Sequence, residues 1–274
     1  MVSSDQRRRQ LAREKFERQR QRREAARRKA KRRNVIVASA VAVALAAGAA
    51  AYASVGLTGD GGTADAAAPS PSKAADPCGK PAPGAPSKKR WEKEPAMSLD
   101  TSASYAMKLE TTCGDIGIKL DAAKAPHTVN SFAFLAGEKF LDHSKCHRLV
   151  DQSLYVLQCG DPTGTGSGTP GYTIPDENLK DPKLKGDVYP AGTVAMANRY
   201  DGKSDKTRDS GGSQFFLVYQ DSKLPPNYTP FGTVTEGMDV LKKIAAAGST
   251  PDPATGNTAP NATVVINRAT VTKS

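Results

Sequence analysis

The stretch Ser210-Gly211-Gly212-Ser213-Gln214-Phe215-Phe216 decides how the chain is to be read, together with Met196-Ala197-Asn198 upstream of it. Gly211-Gly212 breaks the preceding segment, and Gln214–Tyr219 then reads as a strand. Successive side chains of a strand point to opposite faces, so one of Phe215 and Phe216 should enter a core and the other should line a groove. Outward from this stretch stand two more strings of the same texture, Cys146-His147-Arg148-Leu149-Val150 and Tyr155-Val156-Leu157-Gln158-Cys159-Gly160-Asp161. Together they offer one Arg, several side-chain amides, and apolar and aromatic groups. No Ser/His/Asp set has a credible partner among the three histidines, His127, His143 and His147. No His/Cys cluster has zinc spacing, and no phosphate loop ends in Gly-Lys-Ser/Thr. What remains is a chemistry that needs a cation and a dry apolar pocket but no nucleophile, metal or cofactor.

The surrounding pattern is mostly short strands with two helices. Ser104–Glu110 and Ile116–Leu120 flank a turn-rich Thr-Thr-Cys-Gly-Asp cluster and predict a hairpin. Thr128 is placed to cap a helix carrying Val129, Phe132, Leu135 and Ala136 at helical spacing. Further strands are expected at Lys145–Val150, Leu154–Gln158, Gly192–Asn198 and Ala262–Val271. A second helix is expected over Gly237–Ala246, with Met238, Leu241 and Ile244 on one face. Many short strands closed by two helices predict a mainly-β barrel. The Gly-rich run from Gly160 to Gly171 reads as a flexible loop at its rim.

Rotation about an X-Pro amide has the chemical needs left over above. Its barrier of about 18–20 kcal/mol is lost amide resonance, and uncatalysed exchange takes tens to hundreds of seconds. Reaching milliseconds removes roughly 7 kcal/mol, at about 1.4 kcal/mol per decade. The twisted imide gains a nitrogen lone pair that a guanidinium can bind better than it binds either planar isomer.

The four strings, in this order, resemble the cyclophilin signature, and the similarity runs over residues 104–272. KAPHTVNSFAFLAGEKF resembles the family's first helix, and PFGTVTEGMDVLKKI its C-terminal strand–helix segment. The resemblance implies an eight-stranded antiparallel barrel capped by two helices, acting as a peptidyl-prolyl cis/trans isomerase on proline-containing chains. It implies Arg148 as the catalytic cation and Gln158, Asn198 and Gln214 as binders of substrate backbone. Tyr155, Val156, Phe216, Leu224 and Tyr228 fall at pocket positions, Ala197 at a neighbouring backbone-contacting position, and His147 has a supporting role. The chain departs from the family's pattern in places. Nine residues separate Arg148 from Gln158, two more than the family usually has, so Tyr155 and Val156 are placed by counting back from Gln158. Cys146 replaces an aromatic residue and Cys159 a Gly. Leu224 stands where many eukaryotic members carry Trp, which implies weak cyclosporin binding, and Tyr228 where His is common.

The rest of the chain concerns placement. Residues 1–33 carry 15 Lys/Arg and 4 Asp/Glu, a net +11 that equals the net charge of the whole chain. The remainder is therefore neutral, which argues against a nucleic-acid-binding domain. No charged residue follows Arg33 until Asp60. About 23 apolar residues at 1.5 Å rise span roughly 35 Å, enough for a hydrocarbon core. The expectation is a cytoplasmic basic arm (1–33), one transmembrane helix (34–57), a Pro/Gly/Ala/Ser-rich linker (58–100), and an extracytoplasmic domain (101–274). A cleaved signal peptide is the alternative to a retained anchor. Trp91 at the linker's far end is a candidate to dock on the domain. Four cysteines suit an oxidising compartment and allow three pairings, among which sequence does not choose. Cys146 with Cys159, on strands expected to be adjacent, and Cys78 with Cys113 form one of these. The functional alternative to an isomerase of secreted or envelope proteins is a tethered proline-binding adaptor without turnover.

Overall fold

The computed structural model describes residues 75–200, 202–251 and 258–273. The first hairpin forms from β1 (Tyr105–Thr111) and β2 (Gly114–Leu120) in antiparallel register, Leu109 opposite Ile116. Tyr105, Met107 and Leu109 of β1 are buried and alternate with Ala106 and Lys108 on the outside. Ile116, Ile118 and Leu120 do the same from β2, as a half-buried antiparallel sheet requires.

Helix α1 (Pro126–Gly137) follows, then the short β3 (Ser144–Lys145), β4 (Arg148–Gln152) and β5 (Leu154–Cys159). Next come β6 (Val188–Tyr189), β7 (Thr193–Met196), β8 (Phe215–Val218), β9 (Ser222–Lys223) and β10 (Pro230–Glu236). Helix α2 (Met238–Ala246), β11 (Ser249–Pro251), β12 (Thr258–Pro260) and β13 (Val265–Lys273) complete the order. Nine strands make one curled sheet in the order β3-β13-β1-β2-β10-β7-β8-β5-β4, every pairing antiparallel. The pairs β6–β9 and β11–β12 lie outside it.

The eight-stranded expectation differs from this sheet at one place. The run expected as a single strand over Lys145–Val150 is divided into β3 and β4 at Cys146-His147. The amide of Cys146 donates to Val264 O (2.9 Å), on the β13 side, and that of His147 donates to Gln158 O (3.1 Å) in β5. Consecutive residues thus bond to chains at opposite ends of the sheet order. The sheet curls until its two edge strands are neighbours in the chain.

The concave side is filled by α1. Phe132 stacks on Phe231 of β10 (ring centroids 4.7 Å apart) and meets Phe215 of β8 edge-on at 5.4 Å. Leu241 and Ile244 of α2 are buried in the same core. Thr128 is not the cap that the sequence suggests, since the helix begins two residues earlier at Pro126 with Ala125 before it. The cap comes from far along the chain. The Glu177 carboxylate accepts the amides of His127 (3.0 Å) and Thr128 (2.9 Å) and the Thr128 hydroxyl (2.8 Å). It satisfies donors that a helix start leaves unpaired, and places negative charge at the positive end of the helix dipole.

Residues 75–100 contain no helix or strand but are tied to the domain along their length. Cys78 is bonded to Cys113 at the tip of the first hairpin, and Gly79 N–H donates to Thr112 O (2.7 Å). Trp91 packs edge-on against Phe134 (5.0 Å) and tilted against Phe140 (5.7 Å). Its amide donates to Pro170 O (2.8 Å). The basic arm, the expected transmembrane helix and the first part of the linker lie outside the described residues. Among the described residues no helix is long and apolar enough to cross a membrane.

Replacing Glu177 by Ala removes the α1 cap and is expected to lower the unfolding free energy by about 1–2 kcal/mol. A urea titration reads this as a lower midpoint at unchanged slope. An unmoved midpoint would show that water caps the helix equally well.

Candidate active site

Strand alternation builds the site from β4, β5 and β8. On β4, Leu149 enters the main core while Arg148 and Val150 face the other way; on β5, Leu157 and Cys159 enter the core while Leu154, Val156 and Gln158 do not. On β8, Phe215 goes to the core and Phe216 to the opposite face. There Val156, Leu184, Tyr189, Ala195, Phe216 and Val218 form a second, smaller apolar cluster. An open groove of about 790 Å³ lies over it. Its apolar lining includes Val156, Phe216, Leu224 and Tyr228, with the Phe216 and Tyr228 rings edge-on at 5.6 Å. Arg148 and Gln158 supply the polar wall.

The polar wall is a relay of side chains. Arg148 Nη1 donates to Gln158 Oε1 (3.2 Å), and Gln158 Nε2 donates to Gln214 Oε1 (2.9 Å). Gln214 Nε2 then donates to the carbonyls of Gly166 and Gly168, both at 3.0 Å. Those carbonyls belong to the loop expected to be flexible, which the buried Asp161 organises. Its carboxylate accepts the amides of Thr163 (2.7 Å), Thr165 (3.1 Å) and Gly166 (2.6 Å). Burial alone would raise the Asp161 pKa. Hydrogen bonds from Thr163, Gly168 and Gly166 outweigh it and hold the carboxyl below its usual range. The loop is therefore a scaffold that fixes Gln214, and through it the guanidinium.

The far wall is fixed separately. Asn198 Nδ2 donates to Asn227 O (2.7 Å) and Asp176 Oδ1 (3.3 Å), while its oxygen accepts Tyr200 N–H (3.2 Å). The buried Tyr189 hydroxyl donates to Tyr228 O (2.8 Å) and accepts Tyr228 N–H (3.1 Å). Asn198 and Tyr189 thus pin the segment that carries Tyr228 over the groove.

The groove brings together His147, Arg148, Val156, Gln158, Ala197, Asn198, Phe216, Leu224 and Tyr228. Gln214 lines an adjoining groove that shares Gln158, Ala197 and Asn198 with the first. Tyr155 is the exception. Counting back an odd number of residues from Gln158 puts it on the opposite face, where its ring packs edge-on against Tyr219 at 5.9 Å. Leu154 and Val150 line the groove where the sequence reading had Tyr155. Alternation from Gln158 would have found Leu154. Nothing local to Tyr189 or Leu184 marks them, because they arrive from a separate segment. Cys146 and Cys159, both buried, are joined by a disulfide beside Arg148 and Gln158. Among the described residues no cluster of His, Cys, Asp and Glu could hold a metal.

Known proteins similar to this chain point to one family. The family model described as cyclophilin type peptidyl-prolyl cis-trans isomerase matches residues 106–271. A Mycobacterium leprae protein named probable peptidyl-prolyl cis-trans isomerase B is 46% identical over 189 residues, which cover 66% of this chain and 58% of that protein. The chain thus spans less than two thirds of that relative's length. The Bacillus subtilis peptidyl-prolyl cis-trans isomerase B is 39% identical over 131 residues, covering 47% of this chain and 82% of that protein. The crystal structure of a Cryptosporidium parvum cyclophilin type peptidyl-prolyl cis-trans isomerase superposes with a TM-score of 0.50. The sequences are 25% identical, and the match covers 62% of this chain and 99% of that one.

His147 is buried beside Arg148, and neither of its ring nitrogens has a hydrogen-bond partner. Burial pushes its pKa below the ordinary 6.5; the nearby Asp161 opposes the shift and Arg148 adds to it. The unfolded chain therefore binds this proton at a higher pH than the folded one does. Stability is expected to be fully present above pH 6.5 and to fall as pH drops below it. His147→Leu should flatten that slope between pH 7 and pH 5 in urea titrations. A wild-type slope unchanged by the substitution would assign the acid sensitivity to another group.

Proposed function

We propose that this chain, which belongs to the cyclophilin-type peptidyl-prolyl cis-trans isomerase family, catalyses rotation about X-Pro bonds in client polypeptides outside the cytoplasm. One observation carries the catalytic reading: Arg148, held by Gln158 at 3.2 Å, edges the same groove as Phe216, Val156, Leu224 and Tyr228. The proline ring enters the apolar part. The guanidinium then donates toward the imide nitrogen, which becomes an acceptor only when the bond is twisted. The relay through Gln214 to the loop carbonyls holds the cation beforehand, so that little reorganisation is left for the reaction itself. Expelling water from the apolar part strengthens the same interaction.

The client's backbone is held by Gln158, Gln214 and the edge around Ala197. Asn198 contributes by fixing the Asn227–Tyr228 segment. No bond to substrate is made or broken, so the chain needs no nucleophile, metal or cofactor for this step. The chain is tethered through residues 34–57 with the basic arm in the cytoplasm, and its clients are secreted or envelope proteins whose slow X-Pro bonds delay folding. The positive-inside charge pattern and two cysteine pairs that need an oxidising compartment support that placement.

Arg148→Ala is expected to lower kcat/KM on an Ala-Pro peptide by about 100- to 1,000-fold, the scale of losing one preorganised electrostatic contact. Arg148→Lys should recover little, because an ammonium lacks the planar fork that Gln158 holds. The uncatalysed rate in both wild type and Arg148→Ala, with peptide binding retained, would leave a proline-binding adaptor instead, and equal catalysed rates would remove Arg148 from the mechanism. Alkaline phosphatase fused after Ser274 should be active in a bacterial host if the domain is exported, and inactive if the orientation is reversed.

A further inference from the structure

The groove adjoining the first has a volume of about 1060 Å³, and one of its walls lies outside residues 106–271, the stretch matched to the family. Arg90, Glu92, Lys93 and Glu94 form that wall, facing Gln158, Ala197, Asn198, Arg199 and Gln214. The wall is anchored at both ends. On one side Trp91 is clamped by Phe134, Phe140 and Pro170 O. Its carbonyl passes so close to Gly171 (φ +103°) that a Cβ there would lie 2.5 Å from the oxygen. On the other side Asn130 Nδ2 donates to Ala96 O (3.1 Å) and Pro95 O (3.3 Å). Glu94 is engaged by His127, Oε2 to Nδ1 3.2 Å. Among the described residues no ion pair engages Arg90, Lys93, Arg199 or Glu92. Arg90, Lys93 and Arg199 therefore face Glu92 and Glu94, which leaves the wall with an excess of positive charge.

We infer that this linker-built wall makes the second groove a subsite selective for Asp or Glu in the polypeptide flanking the proline. The inference rests on the isomerase reading for the first groove, with which this one is continuous through Gln158, Gly166, Ser167, Ala197 and Asn198. An extended chain advances about 3.3 Å per residue, so a client whose proline occupies the first groove continues into the second within a few residues. The charged groups are exposed, so their effect on affinity is modest and sensitive to salt.

The test uses the full chain and three labelled peptides that share a central Ala-Pro and carry paired Glu, Ala or Lys on either side. Anisotropy titration gives Kd, and NMR exchange on the same peptides gives the isomerisation rate. The expected result is Glu tighter than Lys by about two- to fivefold at low salt, with the difference gone near 1 M salt. The double variant Arg90→Glu/Lys93→Glu should reverse the order. Equal Kd for Glu and Lys peptides, or a Glu preference that survives charge reversal, overturns the subsite. A Glu preference without isomerisation sustains the subsite and removes the activity instead.

Discussion

The β4–β5 register, with Arg148 directly opposite Gln158, is the constraint on which the site depends. It brings a guanidinium and an amide oxygen within 3.2 Å and sets which side chains of both strands face the groove. Because side chains alternate, a one-residue slip would send Arg148 into the core and Leu149 into the groove. Such a slip would bury an unpaired cation, at a cost of several kcal/mol. The buried Leu149 and Leu157 on the core face therefore hold this register as firmly as any contact within the groove. Packing on one face of the sheet thus positions the polar wall of the groove on the other.

Two buried polar groups beside this pair are treated in opposite ways. Asp161 is ringed by amide and hydroxyl donors and stays charged despite its burial. His147 has no partner on either nitrogen and is held toward its neutral form. A second cation next to Arg148 would be repelled by the guanidinium. A neutral imidazole avoids that repulsion and still fills the space. The unpaired nitrogens are a local cost, and that cost makes the neighbourhood sensitive to acid.

Much of this was legible in the sequence because it is local. The aromatic pair Phe215-Phe216, the spacing of Val129, Phe132 and Leu135, and the string around Arg148 each state a periodicity, and the core follows from periodicity. Tyr155 misled because the connection between Arg148 and Gln158 is longer than usual, and position was then assigned by analogy rather than by face. The Glu177 cap of α1 and the Tyr189 bracket on Tyr228 were illegible for a different reason. Each joins residues about 40 to 50 positions apart, and nothing in a Glu or a Tyr announces a partner at that distance. The break between β3 and β4 is likewise decided by how far the whole sheet curls, which no single segment encodes.

The segment 75–100 separates composition from behaviour. A run of Pro, Gly, Ala and Ser cannot build a core, and it contains neither helix nor strand. It can still be ordered by a surface already present, because each anchor needs only a few atoms. Cys78 fixes one end covalently to the hairpin tip. Trp91 brings a large apolar area at the cost of few side-chain torsions, and the glycine at 171 leaves room for its backbone. Between such anchors the exposed residues are free to be charged, since their backbone is already placed. A linker attached in this way contributes little to the fold's own core, yet it supplies one wall of the second groove. That wall can then change with the linker while the β4–β5 register, set by the core beneath it, stays as it is.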